Sequence, residues 1–237
     1  IEFSKIHIKP FTALVLNDVV ILDNEPVTDW QGERLDTIAR AGSIVTTFSL
    51  KGLRNDGAIH VKRLSVKDGS FILAKDERGS SIGRLIRKPE AKKEKKPFSI
   101  KLDAGRVQVK DFRFRLVNKT NESPLREYGI DWKNIDVTVN NLMAHDITFN
   151  GGTVTGTVEN LQAIERSGYR ILALSGKTTV EKGRTSIRNL RLKDSWSDIS
   201  MNEYAMEYSG ASSFSDYMEE VLMTGDILGS RIDMKSI

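Results

Sequence analysis

An eight-residue phrase recurs along the chain. Two alternating apolar positions are followed by two polar ones and then by two more alternating apolar positions. The clearest copies are Leu14–Ile21, Ile59–Val66 and Val107–Phe114, with weaker ones at Val137–Ala144 and Thr185–Leu192. Strand side chains alternate between faces with period two. Here the apolar positions step by two, then three, then two. A regular strand would send the second pair to the opposite face. One extra residue at the polar pair, a bulge, keeps both pairs together and bends the strand. The phrase therefore predicts bulges at or beside Asn17-Asp18, Lys62-Arg63 and Lys110-Asp111. The expected fold is mainly β: an elongated, curved antiparallel sheet, a trough with one apolar face and one or two short helices.

Strand signals occur at 5–9, 14–23, 43–50, 58–67, 70–75, 98–103, 106–118, 135–140, 146–150, 153–159, 169–174, 177–181, 185–192, 198–208 and 222–228. Turn chemistry separates many of them, at Lys67-Asp68-Gly69, Asp103-Ala104-Gly105, Asn150-Gly151-Gly152 and Glu181-Lys182-Gly183. Connections this short imply antiparallel neighbours. Two helices are expected, Ser212–Leu222 with Phe214 and Met218 at helical spacing, and a short one over Ser80–Arg87. Between Lys88 and Pro97 the chain has dense charge, two prolines and no apolar periodicity, which reads as a mobile surface loop.

Composition adds limits. The 237 residues are 39% hydrophobic and 29% charged, as in a globular chain, and only 7% aromatic. The formal charge of +4 comes from 36 basic and 32 acidic residues. Charges of both signs are mixed, unlike the basic footprint of a nucleic-acid binder. There is no cysteine, so disulfides, thiolate zinc sites and a Cys nucleophile are excluded. No apolar run approaches the roughly 20 residues that span a membrane as a helix. The chain begins at Ile1 and opens on a strand pattern, as an excised piece of a longer protein would; a single elongated domain over 1–237 is expected.

Candidate chemistry is sparse. Phosphate-cradling and dinucleotide glycine motifs are missing, and so is a nucleophile elbow. His7, His60 and His145 lie far apart. His145-Asp146 is read as a surface histidine, because neighbours on a strand face opposite ways. Asp194, Asp198 and Glu203 read as a solvated edge, and Asp23-Asn24-Glu25 as turn acidity without calcium-loop spacing. No catalytic set, metal site or cofactor is expected, and the chain is read as a non-enzyme.

The order of phrases resembles the TamB/AsmA-like translocation and assembly proteins of diderm bacteria. The similarity is carried by Leu14-x-Leu-Asn-Asp-Val-x-Ile-x-Asp23 and Gly32-Glu33-Arg34-Leu35, then Ile59-x-Val-x-x-Leu-x-Val-x-x-Gly-x-Phe-x-Leu73. It continues through Ser80–Ile86, the charged loop, Phe98-x-Ile-x-Leu102 and Gly105-x-Val-x-Val-x-x-Phe-x-Phe114. Later phrases are Ser167-Gly-Tyr169, Leu190-x-Leu-x-x-x-x-Ser197-x-Ile199, Tyr208, Phe214-x-x-Tyr-Met218 and Ser230-x-Ile-x-Met234. The family's N-terminal membrane anchor and its C-terminal barrel-contacting domain have no counterpart in this stretch. The resemblance implies a periplasmic bridge held in the inner membrane, a β-taco that conducts phospholipids or supports outer-membrane protein assembly with a barrel partner. It implies a lipid-bearing concave face including Ile59, Val61, Leu64, Val66, Phe71, Leu73, Ile100, Leu102, Val107, Val109, Phe112, Phe114, Val137, Val139, Ile147 and Phe149. The alternative is a closed β-sandwich or solenoid that holds no lipid. It shares the alternating pattern and differs only in whether the apolar face is open.

Overall fold

The computed structural model describes residues 2, 4–9, 13–49, 60–85, 103–120, 129–150, 152–209 and 220–233. These residues form one long, curved, open sheet of 12 strands, with almost no helix among them. The strands are β1 (Lys5–Lys9), β2 (Ala13–Thr28), β3 (Arg34–Ser49), β4 (His60–Asp76), β5 (Gly79–Ser80), β6 (Asp103–Asn118) and β7 (Asp136–Asn150). They continue with β8 (Thr153–Glu165), β9 (Arg170–Glu181), β10 (Arg184–Asp194), β11 (Asp198–Glu207) and β12 (Leu222–Ile227). The one helix of any regularity among the described residues is α1 (Ser81–Leu85), inside the predicted Ser80–Arg87. Neighbours follow chain order from β1 to β12, except that the two-residue β5 pairs only with β4, so that β4 lies directly against β6.

One pair departs from the expected antiparallel meander. β4 and β6 run parallel, in register from Val61↔Ala104 to Lys75↔Asn118. Parallel strands need a crossover of a dozen or more residues, and residues 77–102 supply the length. Several expected turns are strand interior instead. Lys67-Asp68-Gly69 lies inside the 17-residue β4, and Asp103-Ala104-Gly105 opens β6. The predicted pairs 135–140 with 146–150, and 169–174 with 177–181, each fuse into one strand, β7 and β9. Gly152 and Gly183 do sit in turns, with φ of 91° and 78°. Of the predicted helix Ser212–Leu222, residues 212–219 lie outside the described residues, Glu220 is helical, and Leu222 begins β12 rather than ending the helix. Lys88–Pro97 also lies outside them. Past β12, Arg231 forms an isolated bridge to Asp198.

The polar pairs of the phrase form creases. Asp18, Asp68, Asp111, Asp146 and Asn189 all have φ between 50° and 53°, the left-handed region that Asp and Asn tolerate best after glycine. Register sets Asp18 opposite Gly42, Gly42 opposite Asp68, Asp68 beside Asp111 and Asp111 opposite Asn140. This first crease crosses five strands. A second sets Lys62, Gly105 and Asp146 in line. The bulges expected at Asn17-Asp18 and Lys110-Asp111 are not formed: the register runs through both sites unshifted, and left-handed Asp18 and Asp111 absorb the step instead. At Lys62-Arg63 the irregularity is of another kind: Thr47 pairs with Arg63 and Phe48 with Val61, so Lys62 is looped out. Both creases need a close approach. A Cβ at Gly105 would stand 2.9 Å from the Lys62 carbonyl oxygen, and one at Gly69 2.6 Å from the Phe112 ring and 2.9 Å from the Arg40 carbonyl oxygen.

Strand length falls steadily across the second half, from 16 residues in β6 through 15, 13, 12, 11 and 10 to 6 in β12. The sheet is therefore wide at β2–β7 and tapers towards β12.

Candidate functional site

In-register neighbours on adjacent strands share a face. Following the ladder across the sheet therefore traces which side chains lie in line. One row reads Ile6, Leu16, Ile44, Val66, Val109, Leu142, Leu161, Leu174, Leu192, Ile199: ten aliphatic residues on ten strands without interruption. Its nine inter-strand steps span about 43 Å. None of the ten is buried, and Ile6 is 44% exposed. Two residues away along the strands runs a companion row, Leu14, Thr46, Leu64, Val107, Ala144, Val158 and Gly176. Neither row contains a charge.

Beyond the first crease lie two further rows. One is Val19, Ala41, Gly69, Phe112, Val139, Ala163 and Ile171; the other is Ile21, Ala39, Phe71, Phe114 and Val137. Phe71 and Phe114 stack at 6.0 Å between centroids and 12° between planes. Across the second crease Val61, Ala104 and Ile147 align. The crease residues Asp18, Asp68, Asp111, Asn140 and Asp146 are all exposed, whereas the apolar pairs on either side of them, up to Ile147 beyond Asp146, are buried or half-buried.

Most of the expected groove residues thus fall on these rows: Val61, Leu64, Val66, Phe71, Val107, Val109, Phe112, Phe114, Val137, Val139 and Ile147. Leu73 pairs with Leu116 further along β4 and β6. Phe149 pairs with Val154 near the far strand ends and is 49% exposed. Ile59, Ile100 and Leu102 lie outside the described residues. The expected groove set left out Leu16, Leu142 and Leu192, although copies of the phrase contain them, and it also left out Ile44, Leu161, Leu174 and Ile199. A stricter signal was present. In β7 the apolar pairs Val137/Val139, Leu142/Ala144 and Ile147/Phe149 repeat every five residues. In β3 alanine, glycine and threonine disguise the same step.

The described residues contain no sealed core. Half of the buried apolar residues are alanines, and the fully buried side chains among the described residues are two serines, Ser81 and Ser197. A closed sandwich would bury large aliphatic side chains on the inner faces of both sheets. No group of His, Asp and Glu suited to a metal ion occurs among the described residues.

Polar order concentrates at one end of the strands, where buried carboxylates hold the turns. Asp29 accepts from the backbone N–H of Gln31 and Glu33 at 2.9 and 2.8 Å, and from Arg115 Nη2 at 2.6 Å. Burial pushes its carboxyl up, but the Arg115 guanidinium and the two backbone donors outweigh that and hold it below the usual range. Arg113 binds Asp136 through Nε and Nη2 at 2.8 and 2.6 Å, which raises the guanidinium further. These groups line a polar cavity of about 270 Å³ with Trp30, Asn134 and Arg166. Its three carboxylates, Asp29, Glu33 and Asp136, are paired with Arg113 and Arg115, so it reads as a structural network.

Asp194 corrects an expectation. It is 3% exposed rather than part of a solvated edge, and it accepts from the N–H of Trp196 and Ser197 and from the Tyr169 hydroxyl at 3.2 Å. Burial, with the Asp194 charge adding to it, pushes the Tyr169 phenol up to about 12. Of its companions, Asp198 is exposed as expected, while Glu203 pairs with Arg184 across the β10–β11 ladder. Asp23 is likewise buried and caps the N–H of Glu25 within a bulged stretch of β2, not in a turn between strands. His145 and Asp146 do meet, Nδ1 to Oδ2 at 2.8 Å. The left-handed Asp146 cancels the alternation that would have separated them.

Compared with protein-family models and with curated proteins, the chain matches none.

Proposed function

We propose that this chain is a segment of a lipid-conducting bridge, its aliphatic face carrying acyl chains. The observation that carries the reading is the uncharged row from Ile6 to Ile199, crossing ten strands with no member buried. Moving an acyl chain through water costs about 0.8 kcal/mol per exposed methylene, so a chain of about sixteen carbons meets a barrier on the order of 10 kcal/mol. A continuous aliphatic strip removes most of that barrier. It needs no catalytic residue and no single tight site. A bound peptide is a poorer fit to the strip, because the backbone groups of the sheet are spent in the ladder and would leave a peptide's own N–H and C=O unsatisfied. The resemblance in the order of phrases supplies the setting: the periplasm, an inner-membrane anchor outside this stretch, phospholipid as cargo, and outer-membrane assembly with a barrel partner.

Native mass spectrometry of the protein purified without detergent exchange tests the reading. Co-purifying phospholipid is the expected result, reduced in Val109→Asp, which sets an unpaired charge in the middle of the row. Lipid-free protein, with Val109→Asp unfolded outright, would favour the closed interaction module instead.

A further inference from the structure

The apolar rows do not all run the length of the sheet, and what ends them is polar. Beyond the first crease, the row through Phe114 and Val137 meets Glu165 on β8, and the row through Val139 and Ile171 meets Asp194 on β10. Both carboxylates are buried, at 6% and 3% exposure, and both are held by the turns they cap. Tyr169 spans the gap between them, donating its hydroxyl to Asp194. The long row on the other side of the crease passes this point. Leu161, Leu174 and Leu192 carry the long row on to Ile199.

Resting on the lipid reading, we propose that the face is two tracks, and that it sorts lipids by their number of acyl chains. The long track lies on the row of Val66 and Val109 and on the companion row of Leu64 and Val107. The short track lies on the rows of Phe112 and Phe114 and is closed by Glu165, Tyr169 and Asp194. The two-residue spacing within each pair of rows is about 6.7 Å, room for one acyl chain lying across the strands. The row from Ile21 to Val137 makes four inter-strand steps, about 19 Å, the length of an extended chain of about sixteen carbons. A two-chain lipid therefore seats one chain in each track over β2–β7; past the closure, set by Glu165 on β8 and Asp194 on β10, its second chain must leave the face, so such a lipid passes only at a penalty. A single-chain lipid follows the long track to β11. The sheet's narrowing from β8 onward removes the strand length a second track would need.

The test uses a photo-crosslinking amino acid at Val139 in the short track and at Leu192 in the long track beyond the closure. A second pair, Phe112 and Leu174, guards against a variant that fails to fold. Each protein is incubated with vesicles of dipalmitoyl phosphatidylethanolamine, or with micelles of palmitoyl lysophosphatidylethanolamine, and adducts are read by mass spectrometry. The expected ratio of two-chain to one-chain adduct is about tenfold or more higher at Val139 than at Leu192, since expelling a chain from its track exposes many methylenes. Equal ratios at both positions would overturn the two-track assignment and leave the lipid reading standing. Adducts to protein only, at all four positions, would overturn both.

Discussion

Asp111 isolates the backbone term that creases the sheet. Its side chain is exposed and makes no hydrogen bond or ion pair among the described residues, so substitution removes no contact. What it contributes is a left-handed conformation, φ 51°, in the middle of a 16-residue strand. An L-residue held there pays about 1–2 kcal/mol relative to its preferred region, Asp and Asn less than most, and glycine essentially nothing. Asp111→Gly should therefore change stability by less than about 1 kcal/mol in either direction, the freed strain offset by greater freedom of the unfolded chain. Asp111→Val should cost about 2 kcal/mol, because a β-branched side chain is the least compatible with positive φ. In a regular strand the order would reverse. Valine would be preferred over aspartate and glycine by up to about 1 kcal/mol. Urea unfolding followed by circular dichroism reads the difference as a shift in midpoint at unchanged slope. If Asp111→Val proved as stable as wild type, or Asp111→Gly the less stable of the two variants, the crease would be refuted and with it the account of the repeated phrase.

Other expectations follow from the same structure. Gly69→Val should destabilise by at least about 2 kcal/mol, since its side chain meets both the Phe112 ring and the Arg40 carbonyl; Gly69→Val combined with Phe112→Ala should recover little, because the backbone clash remains. Arg115→Ala should cost about 3 kcal/mol at neutral pH by leaving the buried Asp29 carboxylate without its cation. Because the folded Asp29 titrates below the ordinary 3.8, its stabilisation is present above that value and is lost as pH falls through the lower folded value, so the Arg115→Ala deficit should shrink in acid. Tyr169, with a folded pKa of about 12 against an ordinary 10.0, should stabilise fully below pH 10 and lose that contribution as pH rises towards 12. Ultraviolet titration of wild type against Tyr169→Phe should show one late-ionising phenol missing in the variant; equal titration curves would contradict the Asp194 contact.

Much of the fold was written in the order of polar and apolar residues. The two-three-two step requires that something absorb one residue at each polar pair, and aspartate at Asp18 and Asp111 is the chemistry that tolerates the left-handed solution. The apolar character of Val66, Val107, Val109 and Phe114 marked an apolar face before any strand was paired. Local sequence could not decide where strands end, since Lys67-Asp68-Gly69 carries turn chemistry whether the chain reverses or only creases. Pairing decided it, because a crease in one strand is stable only when its neighbours crease at the same level, as Gly42 and Asp111 do on either side of Asp68. Pairing alone also made β4 and β6 parallel and joined Leu16, Ile44 and Leu192 into one row, since register is a relation between residues far apart in the chain. The burial of Asp29 and Asp194 was hidden for the same reason. A carboxylate looks solvated in sequence until the tertiary structure brings Arg115 or Tyr169 against it.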